Sequence, residues 1–287
     1  MALEWLAWVL GATVIWGFGT LAAKPGTDRL GSRAMGLGTT LVEGVAFGLV
    51  GLLLPRSALP SNPLYLVAAV SAGALGAVGY LFFFEGMRSG TVGLVGTISA
   101  ACPMLTVILS VALLSEALDA FQVVGIALIM LCILTLAYEP KRGSASRRAA
   151  VLLSLAGFFV WGVWGFLVKA SVDALGEGSL DLLLATGYLG VTAGYAVLRR
   201  DHRTADDPPS RRTWALGLFV FLAGGLSAVA LTIAYDLGPA AAVAPISGTY
   251  PIIATLAAAA ILKEKLDWRI AVALVAFALG IVLLSGA

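Results

Sequence analysis

The chain has 287 residues, 60% of them apolar and only 12% charged, with a formal net charge of +2. A soluble domain carries about 25% charged residues, so a water-facing fold is excluded and a chain dissolved in lipid is expected. The two cysteines, Cys102 and Cys132, sit in apolar runs and read as small hydrophobes, and the one histidine, His202, lies in a polar stretch. Neither a metal centre nor a disulfide framework is expected.

A helix needs roughly 20 apolar residues to cross a bilayer, and ten stretches qualify. The first, 3–23, has no basic start and no small-residue cleavage site, so it is expected to be kept. The next four are 34–54, 64–84, 91–114 with Pro103 inside, and 120–138. A basic linker follows. The second half offers 149–168, 180–198, 213–235, 239–262 with Pro245 and Pro251 inside, and 268–285. A polar loop, 199–212, parts the seventh and eighth spans.

The chain repeats itself. Gly90 to Asp119 returns as Gly238 to Asp267, 148 residues later: Ser99 falls on Ser247, Pro103 on Pro251, and Glu116 on Glu264. Trp16-Gly17 with Lys24 returns as Trp161-Gly162 with Lys169, at an offset of 145. This predicts two five-helix units, 1–139 and 149–287, joined by a cytoplasmic linker at 140–148. Of the 18 lysines and arginines, all except Arg56 and Lys169 fall on the side reached after odd-numbered spans. That side is read as cytoplasmic, with both termini outside. Five is odd, so the second unit enters the membrane upside down. The expected fold is an all-α membrane protein of ten transmembrane helices, two inverted repeats around a central cavity, the plan of secondary transporters.

Glu43 stands near the middle of the second span, where a carboxylate costs about 2.5–3.5 kcal/mol on insertion scales. The seventh span carries Thr186 opposite it, so the acid is confined to one half. Glu43 is the expected coupling group. Pro103, Pro245 and Pro251 each remove an N–H and free a carbonyl four residues earlier, at Ser99, Ala241 and Ser247. They are expected to kink or gate the fourth and ninth spans into cavity walls, the ninth the more interrupted. Thr97, Ser99, Ser247, Thr249 and Tyr250 cluster there. Trp16 and Trp161 lie about 12 Å of helix from the lysine closing each span, near the midplane. Trp164, Tyr80 and Phe83 join them in a proposed aromatic cage. Tyr235 is a further candidate. Gly44/Gly48 and Gly190/Gly194 have the spacing that lets membrane helices approach closely. Lys24 and Lys169 are read as snorkelling to the interface, and Glu116/Asp119 as caps of the fifth span.

The Trp-Gly pair in each half, Gly238-Pro239-Ala240-Ala241, Pro245-Ile246-Ser247, Tyr250-Pro251 and Leu262-Lys-Glu264-Lys-Leu266 together resemble the EamA-type members of the drug/metabolite transporter superfamily. The first copy departs from the pattern, with Thr91 and Thr97 where the second has Pro239 and Pro245. The resemblance implies a basket of spans one to four and six to nine around the cavity, with spans five and ten peripheral or at an interface. It implies secondary transport of a small metabolite, an amino acid or similar, with export favoured, across the cytoplasmic (inner) membrane. Import of an organic cation such as a choline-like amine, coupled to protons, is the alternative. A membrane-embedded enzyme or lipid-handling protein is a remote one. No cofactor and no nucleic-acid partner are expected; the partners are substrate and lipid, and monomer or homodimer is left open.

Overall fold

The computed structural model describes residues 4–55, 62–90, 92–137, 145–198, 209–262 and 268–285. The side chains of Thr97 and Cys132, the basic linker up to Ser144, His202 and Glu264 lie outside the described residues. Within them run twelve helical segments: α1 (Glu4–Leu30), α2 (Ser32–Leu53), α3 (Leu64–Ser89), α4 (Val92–Ala100), α5 (Pro103–Leu113), α6 (Ala120–Ala137), α7 (Ala145–Leu175), α8 (Glu177–Leu198), α9 (Arg211–Leu237), α10 (Ala240–Ser247), α11 (Tyr250–Leu262) and α12 (Trp268–Ser285). The fourth span is α4 with α5 and the ninth is α10 with α11, so twelve segments make ten spans. Among the described residues seven spans are long and apolar enough to cross a membrane by length and composition: α1, α2, α3, α4 with α5, α7, α8 and α9. Large apolar side chains such as Leu53, Phe121 and Leu152 face outward, as they do when lipid replaces water.

The first helix of each unit is longer than expected. α1 continues through Pro25 to Leu30, and α7 reaches Leu175. Each stops at a glycine in the left-handed region, Gly31 with φ 83° and Gly176 with φ 71°. The two amides donate to Thr27 O and Val172 O, each at 2.8 Å. Only glycine takes that conformation without steric cost, which lets the next helix start after a one-residue turn.

Helix ends reveal the inversion. The start of α8 meets the end of α2, because a Cβ on Gly178 would touch Leu54 O and Pro55 O. The end of α8 meets the start of α2, where Arg33 donates to Ala196 O at 3.0 Å. The start of α9 lies at the end of α1 (Gly217 against Leu30) and its end at the start of α1 (Gly238 against Trp5). Packing follows the same exchange of halves: α1 lies on α9 as α7 lies on α3, and α2 lies on α9 as α8 lies on α3. The pairs α2–α8 and α6–α12 map onto themselves. The last helices of the two units therefore pack on each other, Gly280 of α12 coming close to Gly125 O and Ile129 of α6.

The Trp-Gly motif has a packing reason. A Cβ on Gly17 would collide with Ile253 and meet Tyr250 O at 3.0 Å; one on Gly162 would meet Leu105 Cβ at 2.7 Å and Cys102 O at 3.0 Å. Ile253 and Tyr250 are the repeat partners of Leu105 and Cys102. Each glycine thus seats the first helix of one unit in the broken helix of the other. The small-residue pairs behave unequally. Gly44 sits against Tyr188 and Leu189, and Gly48 against Ala185, but Gly190 and Gly194 face open space. Only the pair on α2 supports close approach within the chain.

Three expectations about charged residues are corrected. Lys24 and Lys169 do not snorkel. Lys24 Nζ donates to Asp28 Oδ1 and to Met87 O, both at 2.8 Å. Lys169 Nζ donates to Asp173 Oδ1 and to Tyr235 O, both at 2.8 Å. Each lysine ties the first helix of its unit to the third; Lys169 is buried and Lys24 half-buried, and an ammonium drawn out of water is held by acceptors. Glu116 caps a helix, but not the fifth span. Its Oε1 and Oε2 accept from Ala240 N and Ala241 N of α10, each at 2.8 Å. The fifth span is capped by Asp119, which accepts from Gln122 N at 2.8 Å while Gln122 returns a bond to Asp119 N.

The Glu116 carboxylate therefore bridges the two units at a half-helix start, where donors and the helix dipole both favour an anion. Glu116→Ala is expected to lower stability by about 2 kcal/mol, the order of a charge-assisted hydrogen bond. Glu116→Gln should recover only part of that, because one amide oxygen replaces two charged ones. Thermal unfolding of the purified variants measures both.

Candidate functional site

A cavity opens where the units meet. It is walled by α1, α3, α7 and α9 and by the breaks in the fourth and ninth spans. Its volume is about 100 Å³, room for a few waters or one small organic solute. No Lys, Arg, Asp or Glu lines it among the described residues.

Both breaks reach this cavity, through Ser99, Ala100, Cys102 and Pro103 on one side and Ser247, Gly248 and Tyr250 on the other. They are alike: two residues interrupt each span, so the ninth is not the more broken. Pro103 begins α5, where a missing N–H is harmless. The Ser99 carbonyl it was expected to free accepts from Cys102 N at 3.1 Å in a tighter turn. Pro245 is buried within α10 and Pro251 lies in the first turn of α11, both outside the cavity lining.

The aromatic side chains converge. Tyr80 stands between the two repeat-related tryptophans: Trp16 Nε1 donates to its hydroxyl at 3.2 Å, and the Trp161 ring lies edge-on at 5.1 Å. Trp161 donates to Gly76 O at 3.2 Å and packs on Phe83 at 5.7 Å. Tyr250 lies 6.3 Å from Trp16 and donates to Gly96 O at 3.1 Å. Trp164 faces Tyr235 at 6.4 Å. Trp16, Tyr80, Phe83, Trp161, Trp164, Tyr235 and Tyr250 all line the cavity.

Three polar atoms at the wall are buried with no hydrogen-bond partner: Thr39 Oγ1, Ser99 Oγ and Trp164 Nε1. Each is buried inside the wall and does not reach the cavity surface. Ser247 also lines the cavity, but its hydroxyl donates to Ala244 O at 2.8 Å. Thr249 is turned away, donating to Ile246 O at 2.6 Å, and lies outside the lining.

Glu43 sits one layer behind the wall. It is fully buried, and neither carboxylate oxygen makes a hydrogen bond. The Tyr80 and Tyr188 side chains are its polar neighbours, close to it without reaching bonding geometry. A Cβ on Gly224 would stand 2.7 Å from Glu43 Oε1. Thr39, Tyr80, Tyr188 and Gly224 all line the cavity, so the acid is one side-chain thickness from it. Thr20, Thr39, Thr106 and Tyr188 were not anticipated. Tyr188 was detectable as a phenol deep in an apolar span; the threonines carried no signal, since membrane helices use them freely to bond their own backbone.

Cys102 gives the cavity a chemical handle, half-buried in its lining. In a Cys132→Ser background, a small membrane-permeant thiol reagent is expected to label it. A solute occupying the cavity should slow that labelling several-fold, as mass spectrometry of the intact protein would record.

A family model described as the EamA-like transporter family matches residues 3–138 and again 148–286. The chain belongs to the EamA-like transporter family. It is accordingly an integral, multi-pass membrane transporter. No curated protein matches it. A solved structure titled only "Crystal structure of protein" is similar in fold, at 18% identity with a TM-score of 0.73, over 96% of this chain and 94% of that one. The EamA-like pattern thus holds both copies of the unit, and the cavity lies between them.

Proposed function

We propose that this EamA-like protein is a secondary active transporter that moves a small organic metabolite, an amino acid or similar, across the cytoplasmic membrane by alternating access, with export as its direction. The observation that carries this reading is the cavity between the units: aromatic walls, no Lys, Arg, Asp or Glu in the lining among the described residues, and one carboxylate, Glu43, just behind them. The walls take apolar surface and the face of an ammonium. Glu43 acts as the group that exchanges a proton for substrate. Orientation with the basic loops in the cytoplasm and both termini outside follows from the lysine and arginine placement.

A second reading is favoured by the charge of the lining. With no Lys or Arg to meet a carboxylate, an organic cation without an acidic group fits as well as a zwitterion, and import coupled to protons becomes its mode. One experiment separates them: flux into and out of proteoliposomes across a panel of amino acids and quaternary amines, with and without a pH gradient. Gradient-driven movement of neutral or cationic amino acids supports the first reading. Movement of choline-like amines alone supports the second. Chemical conversion of any panel member would replace both with an enzyme.

A further inference from the structure

A second acidic group lies away from the cavity, at the end of the bundle where α7 turns into α8. Asp181 is fully buried and Glu177 is 9% exposed. All four of their carboxylate oxygens lack a hydrogen-bond partner. They are one helical turn apart on α8, and Asp236, exposed at the end of α9, acts on both electrostatically. Counted from the turn glycines Gly31 and Gly176, their repeat partners in α2 are Ser32 and Gly36, so the acids belong to one half only.

The groups facing this pair leave it uncompensated. From α7, Lys169 already donates to Asp173 and to Tyr235 O, and its remaining influence falls on Asp236. From α9, Thr232 stands beside both carboxyls but has given its proton to Val229 O at 2.9 Å. It can therefore only accept, and a carboxyl can donate to it only when it carries a proton. α2 and α3 bring no acidic or basic residue to this end among the described residues; Tyr65 is the titratable group that α3 places there. Two ionised carboxylates in apolar surroundings with no donor are not tolerated. A protonated carboxyl is the state that such surroundings accept.

We propose that Glu177 and Asp181, served from bulk water by Asp236, form a proton-loading site that feeds Glu43. In each step an O–H bond breaks on one oxygen and forms on the next, with no redox change. The route has a structure. Asp181, Ala185 and Tyr188 share one face of α8, and about 10 Å of helix separates the acid from the phenol beside Glu43. On α9, Gly224 lies against Glu43 and Thr232 beside the pair, about 12 Å of helix apart. This inference rests on the transporter reading, since a loading site needs a carrier to load.

The test needs no substrate. Infrared difference spectra of the purified full-length protein, recorded on steps of pH, should show the carbonyl stretch of a buried protonated carboxyl. Both Asp181→Asn and Glu177→Gln should reduce that band by roughly a third or more, as expected of a pair sharing a titration, leaving a remainder that Glu43→Gln removes. Asp28→Asn should leave it unchanged. Asp181→Glu, which keeps the acid should the amide variant not fold, should shift the band without removing it. A band untouched by Asp181→Asn and Glu177→Gln, or unshifted by Asp181→Glu, overturns the proposal. So does a band erased when sodium replaces N-methylglucamine, because the site would then take a metal cation. If transport of the panel fails while the band behaves as described, the function reading falls and the proton site stands.

Discussion

Glu43→Gln is expected to abolish pH-gradient-driven flux, by roughly tenfold or more, while solute exchange persists and no longer varies with pH. The reasoning begins with solvation. A carboxylate in mid-membrane represents a few kcal/mol of insertion cost even on the most lenient scale, and this one is fully buried with neither oxygen bonded. Such a group persists when a proton or a cationic solute relieves it. Glutamine fills the same volume and offers the two tyrosines beside it, Tyr80 and Tyr188, an oxygen and an amide, so packing survives. Thermal stability should be unchanged or slightly raised, because removing an uncompensated acid from an apolar site does not weaken a fold. Flux in proteoliposomes at several pH values, set beside a melting curve, reads both. A variant that keeps its pH dependence would remove Glu43 from coupling.

The sequence made the architecture legible because lipid is an unforgiving solvent. Every span must bury its own backbone polarity, so length and apolar content mark the spans, and a duplicated motif at a fixed offset marks the symmetry. The aromatic walls were legible for the same reason: Trp16, Tyr80, Trp161 and Trp164 lie too deep to be interfacial anchors. What stayed hidden depended on a partner distant in sequence. Lys24 and Lys169 looked like span ends, because the carbonyls of Met87 and Tyr235 that hold them are more than 60 residues away. Glu116 looked like a local cap, because the helix start it serves belongs to the other unit. Thr249 looked like a wall residue because spacing alone does not say which way a hydroxyl turns beside a helix break. Glu177 and Asp181 escaped notice at the edge of an apolar run, where acids read as helix-start residues.

Gly187→Val is expected to destabilise the protein by about 3 kcal/mol or more, the upper end of overpacking effects. The crossing of α3 on α8 is backbone against backbone. A Cβ on Gly187 would run into Val70 O and stand 2.5 Å from Ala74 N, and one on Gly73 would run into Leu184 O. A side chain that overlaps a carbonyl has no rotamer to escape into, so the helices must part. Parting them moves Tyr188, the next residue, and Tyr188 stands beside Glu43 and in the cavity wall. The loss should therefore reach function as well as stability. Gly73→Val should behave alike, and the pair should be less than additive, since either alone already separates the two backbones. Gly190→Ala and Gly194→Ala on the same helix face open space and should be neutral, or stabilising by up to about 1 kcal/mol through helix propensity alone. Thermal unfolding of the four single variants and the double variant in one detergent tests the contrast. Equal losses at Gly187 and Gly190 would show that flexibility, not close approach, is what these glycines supply.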